Sequence, residues 1–279
     1  GRGCVMETDA DRRIGFFDTG VGGLSVLGYL AAAGAGEEYY YLADRAYRPY
    51  GGKSAAEVLE LVRKAAYFLI EQGVNELVLA CNTATAAAFR GLTRELQIPV
   101  WGPIEPAARQ AARLCPRGTI GILASELTVK SGQYDRSIKK MAPGSRVIGE
   151  PCPGLSSFVE AGEISGPDVE AYLRERIARL EAKGIEVLIL GCTHYSFLRE
   201  LIESLMKNKV PIVDSSRELA ASLMLPAREK TGLGLHPSES KFKYFVTAES
   251  EQFAAVGAKL LAGRNGLVLS ALDVGTITL

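Results

Sequence analysis

Two stretches of the chain decide its fold: EQGVNELVLACNT at residues 71–83 and AKGIEVLILGCTH at residues 182–194. Each contains a glycine typical of a helix end, then an apolar run of strand length, then a small residue and a cysteine. A second pair repeats the correspondence, because IGFFDT at 14–19 resembles IGILAS at 120–125. The separation is far longer than the roughly 20–50 residues of a solenoid repeat. It therefore indicates two related halves, with chance likeness of buried strands as the alternative.

Apolar runs alternate with amphipathic stretches along the rest of the chain. We expect six buried strands, at residues 14–17, 39–42, 76–80, 119–123, 187–190 and 210–213. Helices are predicted between them. One begins at a capping box, Ser54–Glu57, and is ended by Gly73, and another runs from about Pro167 to Lys183. This alternation predicts an α/β fold with mainly parallel sheets.

The repeat and the alternation together predict two similar α/β domains related by a pseudo-twofold axis, with the active site in the cleft between them. The first domain is expected at residues 13–101 plus 213–279, and the second at residues 102–212. Residues 1–12 are polar and are expected to form a tail without the apolar core of a signal peptide.

The composition excludes several classes of protein. Lysine plus arginine equals aspartate plus glutamate, at 32 each, which argues against a nucleic-acid partner. No apolar stretch approaches the roughly 18–20 residues that span a bilayer, so a membrane protein is not expected. Five cysteines are an odd number and too few for a disulfide scaffold in 279 residues, which favours a reducing cytoplasm. The two histidines and scattered cysteines show no zinc-binding spacing, so no metal is expected.

Cys81 and Cys192 each follow a predicted strand, as do Asp18 and Thr19. Ligands of open α/β sheets bind outside the carboxyl ends of the strands. A pseudo-twofold arrangement would bring the two thiols to opposite walls of one cleft. Each cysteine is also predicted to precede a helix, whose N-terminus favours the thiolate.

Two opposed thiols can remove a proton from one face of a carbon and return one to the other face. Such a pair inverts a stereocentre without a cofactor. The alternative for either cysteine alone is a buried packing residue. His194 is a candidate helper in proton transfer at Cys192, with a structural hydrogen bond as the alternative. Structural roles are predicted for His236 and for the other three cysteines, Cys4, Cys115 and Cys152.

The stretch Asp18–Gly23 follows a strand and opens a predicted helix. Its glycines permit close backbone approach, and a helix N-terminus favours a carboxylate, so we expect an anionic ligand there. The sequence from Arg48 to Gly52 is a turn whose backbone could also face a ligand, with a plain loop as the alternative.

Together these motifs resemble the glutamate racemases of the cofactor-independent aspartate/glutamate racemase superfamily. The matching segments are residues 14–26, 49–51, 80–85, 98–100, 104–106, 152–154 and 191–195. The resemblance implies that Cys81 acts on D-glutamate and Cys192 on L-glutamate, without a cofactor. It also implies that Asp18, His194 and Glu160 assist catalysis.

The resemblance further implies a set of substrate contacts, namely Asp18, Thr19, Tyr50, Gly51, Asn82, Thr83, Ser125, Thr128, Thr193 and His194. The sequence departs from the family pattern at Thr19, where serine is usual, at Ser125, where threonine is usual, and at Ser196, where proline is expected. D-Glutamate made for peptidoglycan implies a bacterial cytoplasmic enzyme, with a homodimer as one option. The alternatives are an aspartate racemase, another enzyme of the superfamily, or a non-catalytic amino-acid-binding protein.

Overall fold

A computed structural model describes residues 12–33, 38–207, 209–231, 241–262 and 274–279. Its strands are β1 (Arg13–Asp18), β2 (Glu38–Ala43), β3 (Glu76–Leu79), β4 (Val100–Trp101), β5 (Thr119–Ala124), β6 (Arg146–Pro151), β7 (Val187–Gly191), β8 (Ile212–Asp214), β9 (Lys241–Val246) and β10 (Val274–Thr276). The six strands expected from the sequence correspond to β1, β2, β3, β5, β7 and β8.

Helices lie between most of these strands. They are α1 (Leu24–Ala33), α2 (Ala55–Glu71), α3 (Asn82–Glu95), α4 (Ile104–Leu114), α5 (Glu126–Ser131), α6 (Gln133–Met141), α7 (Leu155–Glu160), α8 (Pro167–Glu181), α9 (Arg199–Leu205), α10 (Ser215–Thr231) and α11 (Ser250–Leu261). Short 3₁₀ helices cover Arg45–Tyr47 and Thr193–Leu198.

The strands form two parallel sheets. The first has the order β10-β9-β2-β1-β3-β4 and the second has the order β6-β5-β7-β8. The order β2-β1-β3-β4 of the first sheet therefore matches the whole of the second. Strands β3 and β7, which lead to Cys81 and Cys192, occupy equivalent positions beside β1 and β5. The predicted α/β fold with two similar parallel sheets is confirmed.

Local sequence signals explain where two of the helices begin and end. The Ser54 hydroxyl accepts a hydrogen bond from the Glu57 amide, and the Glu57 carboxylate accepts one from the Ser54 amide, so the predicted capping box is present at α2. Gly73 follows this helix with a φ of 89°, a left-handed conformation that glycine adopts without strain. Helix α8 begins with Pro167, whose fixed φ suits the first helical turn.

The two sheets share one apolar core. It contains Leu27 of α1, Leu190 of β7 and Leu223 of α10, all of them buried. Helix α10 follows the second sheet and packs against both α1 and α4. The boundary predicted at residue 213 falls inside β8, where Val213 pairs with Ile189 of the second sheet. Among the described residues, none of the helices combines the length and apolar character that crossing a bilayer requires.

Candidate active site

Cys81 caps the N-terminus of α3 from the end of β3. Its Sγ accepts a hydrogen bond from the Ala84 amide at 3.5 Å, and the residue is buried. Burial raises the pKa of the Cys81 thiol, the charge of Asp18 raises it further, and the amides of Ala84 and Thr83 oppose this only in part. The expectation that the helix N-terminus would favour the thiolate is wrong for this cysteine, because desolvation outweighs the helix.

Cys192 lies at the end of β7 and is only partly buried. The helix expected from residue 197 is preceded by the 3₁₀ helix Thr193–Leu198, so Cys192 caps no α-helix. Its Sγ instead lies 3.6 Å from Nδ1 of His194, whose Nε2 lies 2.8 Å from Oε1 of Glu160. A thiol, an imidazole and a carboxylate therefore form a chain.

The imidazole of this chain is held in its charged form. Burial would lower the pKa of His194, but the hydrogen bonds to Cys192 and Glu160 and the charges of the same groups raise it well above the ordinary value. Burial would raise the pKa of Glu160, but contact with His194, the charge of Arg45 and the Val21 amide lower it to about 2. His194 and Glu160 therefore form a buried ion pair beside Cys192.

Asp18 connects the two sheets at the floor of the cleft. It is fully buried at the end of β1, and its carboxylate accepts hydrogen bonds from the Gly20 amide at 3.1 Å and the Thr193 hydroxyl at 3.0 Å. Burial raises the pKa of Asp18. The charge of His194 and the two hydrogen bonds lower it, but by less than burial raises it. Asp18 and Thr193, predicted from separate motifs, are thus brought into contact.

The glycine-rich stretch after Asp18 faces protein side chains. A Cβ on Gly20 would lie 1.7 Å from Oε1 of Glu160, and a Cβ on Gly22 would lie 2.3 Å from the Thr193 hydroxyl. The Val21 amide donates to Oε1 of Glu160 at 2.8 Å. The Val21 amide of this loop is therefore bound to the Glu160 carboxylate, and the anionic ligand expected at the loop stays a prediction.

Three hydroxyl groups meet across the cleft at the start of α3 and α5. Thr83 Oγ1 lies 2.8 Å from Ser125 Oγ and 3.4 Å from Thr128 Oγ1. The Ser125 hydroxyl caps α5 by accepting from the Thr128 amide at 3.2 Å. Hydroxyls can donate to a carboxylate or accept from an ammonium group, so this cluster can bind either end of an amino acid.

Asn82 is fixed by groups that the sequence did not indicate. Its Oδ1 accepts from the Tyr134 hydroxyl at 2.7 Å, and its Nδ2 donates to the Ser215 hydroxyl at 3.1 Å. Tyr134 lies on α6 and Ser215 begins α10, 52 and 133 residues from Asn82. Contacts at such separations leave no local sequence signal.

The remaining predicted contacts lie near the same end of the first sheet. The Tyr50 hydroxyl donates to buried Asp44, which also accepts from the Thr247 hydroxyl. The Gly51 carbonyl accepts from the Leu127 amide at 3.2 Å, and a Cβ on Gly51 would lie 3.0 Å from the Ser125 Cβ. Thr19 follows β1 and is half-buried.

Two arginines were missed as side chains of the site. Arg45 and Arg48 each donate to Oε2 of Glu160 at 2.5 Å. Only the backbone of the turn at Arg48 was considered from the sequence, and Glu160 lies 115 and 112 residues further along the chain. Asp44, the partner of Tyr50, was also missed, although it lies only six residues before Tyr50.

The other predicted structural residues are only partly described. Four cysteines of the described residues are free. Cys81, Cys115 and Cys152 are buried, and Cys192 is partly buried. Cys4 and His236 lie outside the described residues. Within the ranges that the structure describes, no three side chains of His, Cys, Asp or Glu group in a way that could hold a metal ion.

Cys81 and Cys192 follow equivalent strands of the two matched sheets, and acid and base side chains lie beside them, an arrangement that is able to transfer a proton. The chain belongs to the Asp/Glu/Hydantoin racemase family, whose model matches residues 43–223, and it is therefore an isomerase. It is 35% identical over 254 residues to the glutamate racemase of Desulforudis audaxviator, covering 89% of this chain and 93% of that protein.

Solved structures of glutamate racemases share the fold. The enzyme from Bacillus anthracis superposes with a TM-score of 0.86 at 31% identity, covering 96% of this chain and 98% of that one. The enzyme from Francisella tularensis, solved in complex with D-glutamate, gives a TM-score of 0.84 at 30% identity over 97% and 98% of the two chains.

Proposed function

We propose that this chain interconverts L-glutamate and D-glutamate by two-base proton transfer at Cα, with Cys81 and Cys192 as the two bases. The observation that carries the proposal is that both cysteines are free and follow equivalent strands, β3 and β7. The 35% identity to a glutamate racemase over most of the chain supports glutamate as the substrate.

The proton transfers balance without a cofactor. In the L-to-D direction the Cys192 thiolate accepts the Cα proton, and the electron pair left on Cα takes the proton of the Cys81 thiol from the opposite face. The buried Cys81, whose pKa is raised, suits a proton donor. Cys192, whose Sγ lies 3.6 Å from Nδ1 of His194, is assigned as the proton acceptor. The D-to-L direction exchanges these roles.

Substrate binding is assigned to the polar groups around the two thiols. The hydroxyls of Thr83, Ser125 and Thr128 are proposed to bind one carboxylate of glutamate. The amide of Asn82 and the hydroxyl of Thr193 contribute further hydrogen bonds, and Tyr50, Gly51 and Thr19 line the entrance. Asp18, whose carboxylate accepts hydrogen bonds from Gly20 and Thr193, is proposed to hold the ammonium group of the substrate.

The proposal is tested by measuring racemisation from the change in circular dichroism of L- or D-glutamate. Cys81→Ala and Cys192→Ala should each abolish racemisation, whereas glutamate binding, measured by calorimetry, should largely persist. Cys115→Ala is the matched control, because Cys115 is also buried and free but lies at the end of α4. In deuterated water the inverted product should carry deuterium at Cα. Full activity in either cysteine variant, or unlabelled product, would refute the two-base scheme.

The alternatives give different results in the same assay. Rapid turnover of aspartate with inert glutamate would indicate an aspartate racemase. Tight glutamate binding without turnover would indicate a non-catalytic sensor, but the retention of Cys81, Cys192 and Asp18 argues against that class.

We also propose that the D-glutamate supplies peptidoglycan synthesis in a bacterial cytoplasm. Expression of the chain should then rescue growth of a bacterium that requires added D-glutamate, and the Cys81→Ala variant should not. The homodimer remains a prediction, which sedimentation of the purified protein would test.

A further inference from the structure

Behind the His194–Glu160 pair lies a group of ion pairs that the reaction scheme does not use. Arg45 and Arg48 follow β2 of the first sheet, and Glu249 precedes α11 beside the same sheet. Glu249 Oε2 accepts from Nη2 of Arg45 at 2.8 Å and from Nη2 of Arg48 at 2.5 Å. Both arginines bridge from there to Glu160 at the end of α7. Arg45, Arg48 and Glu249 are called the arginine clamp below.

The arginine clamp determines which way the Glu160 carboxylate points. Both arginines donate to Oε2, so Oε1 is left to the Val21 amide and to Nε2 of His194. The carboxylate is therefore in four polar contacts, two on each oxygen. Rotation of the carboxylate would break contacts on both oxygens, which fixes the imidazole that faces Cys192.

Arg45 is anchored as a rigid part of the site. Its side chain is 0% exposed, its Nη2 donates to Gln252 Oε1 at 3.0 Å, and its guanidinium lies over the Phe253 ring at 5.9 Å from the centroid. A buried guanidinium needs carboxylate partners, since an unpaired charge at that depth is strongly unfavourable. Arg45 therefore depends on the carboxylates of both Glu160 and Glu249 as its partners.

The backbone at Glu249 carries a further sign of constraint. Among the described residues Glu249 is the only non-glycine residue with a positive φ, at 56°. Such a conformation persists where surrounding contacts impose it, and it concentrates at functional sites. The carboxylate of Glu249 makes both of the arginine ion pairs.

We propose that Arg45, Arg48 and Glu249 are positioning residues of the racemase reaction, holding Glu160 against His194 and holding the first sheet against α7. This inference rests on the proposed function for its effect on turnover. Because every ion pair from the arginines to Glu160 joins the first sheet to α7, the clamp links the position of α7 to the orientation of His194.

Loss of the clamp should reduce turnover more than substrate binding. Arg45→Met and Arg48→Met are expected to lower kcat by about 10- to 100-fold, the effect of small misplacements in an active site, with a smaller change in KM. Glu249→Gln should give a milder loss. Arg63→Met is the matched control, because Arg63 also bridges two carboxylates, Glu60 of α2 and Glu95 of α3, away from the site.

The pH profile should move in a defined direction. Glu160 faces His194, Arg45, Arg48 and Asp18, and His194 faces Cys192, Glu160 and Asp18. Arg45 helps to lower the pKa of Glu160, so its loss should raise that pKa. The ratio of variant to parent kcat/KM should therefore decline as the pH falls toward 4.5, the ordinary pKa of a glutamate. A residue with a merely structural role would leave the ratio constant.

A double-mutant cycle tests whether the arginines act through Glu160. In a Glu160→Gln background, Arg48→Met should have little further effect on kcat, and the cycle should be strongly non-additive. If Arg45→Met does not fold, Arg48→Met and Glu249→Gln decide the matter, because those side chains are partly exposed. Additive losses, or parent kcat and pH profile in Arg48→Met and Glu249→Gln, would overturn the proposal. The same cycle measured by urea unfolding requires no activity, so a failure of the two-cysteine scheme would be seen separately.

Discussion

Replacing Gly20 by alanine would place a methyl group 1.7 Å from Oε1 of Glu160. Real Cβ atoms essentially never approach another heavy atom closer than 3.0 Å, so the carboxylate must withdraw by more than an ångström. The φ of Gly20 is not in the left-handed region, so the conflict is with the carboxylate and not with the backbone conformation. This substitution therefore displaces Glu160 without changing any of its own chemical groups.

The size of the effect follows from the contacts that Glu160 would lose. Its Oε1 lies 2.8 Å from the Val21 amide and 2.8 Å from Nε2 of His194. Breaking a buried charged contact of this kind costs about 3 kcal/mol of unfolding free energy, because it leaves a buried charge without its partner. A displacement of about 1 Å in an active site can lower the rate by about 100-fold. We therefore expect Gly20→Ala to lose about 3 kcal/mol of unfolding free energy and about 100-fold in rate.

The assay pairs this variant with Gly28→Ala. Gly28 lies in α1, and its nearest heavy atom to a new Cβ is 3.7 Å away, an ordinary contact. Alanine in a helix interior is favoured over glycine by up to about 1 kcal/mol, so Gly28→Ala should be slightly more stable and fully active. Urea unfolding and racemisation of both enantiomers are measured for each variant. A folded Gly20→Ala with parent kcat/KM would refute the reasoning that Glu160 orients His194.

Two further predictions follow from other contacts of the site. Tyr134→Phe leaves Oδ1 of Asn82 buried without its donor. Urea unfolding should therefore show a loss of about 1–3 kcal/mol of unfolding free energy, and the KM for glutamate should rise. An unchanged stability would contradict the assigned hydrogen bond. The pKa of Glu160 is lowered from its ordinary value of 4.5 to about 2, so its ion pair stabilises the folded state above pH 4.5 and this contribution is lost between pH 4.5 and about 2. Acid unfolding of Glu160→Gln should lack this component, and an identical pH dependence in parent and variant would argue against a charged His194–Glu160 pair.

The sequence predicted six of the strands, including the two that lead to the cysteines. Strands β3 and β7 are continuous apolar runs bounded by glycine, and each is followed by a cysteine, so both the strands and their equivalence were visible. Strands β4, β6, β9 and β10 gave weaker signals. β4 has two residues, β6 contains Gly149 and ends at Pro151, and β9 places Lys241 and Lys243 among its aromatic residues. Such segments become strands because a neighbouring strand offers hydrogen bonds.

The site was predicted where function depends on residue type and missed where it depends on long-range partners. Cys81, Cys192 and Asp18 follow strands, so their placement at one edge of the sheets could be inferred. The pairing of Arg45 with Glu160, 115 residues away, has no local signature. The helix-dipole argument for Cys81 failed for a related reason, because burial depends on the whole fold and outweighs the helix N-terminus.

The two halves differ most at the point where the chemistry is expected. After equivalent strands, Cys81 enters an α-helix and is buried, whereas Cys192 enters a 3₁₀ helix and faces a charged His194. L- and D-glutamate are mirror images with equal free energies in water, so kcat/KM must be equal in the two directions for any variant. The asymmetry of the thiols therefore cannot favour one product. It can appear only as a difference in kcat between the two directions that is matched by a difference in KM of the same factor and sign, and a Glu160 variant should change that factor while the two kcat/KM values remain equal.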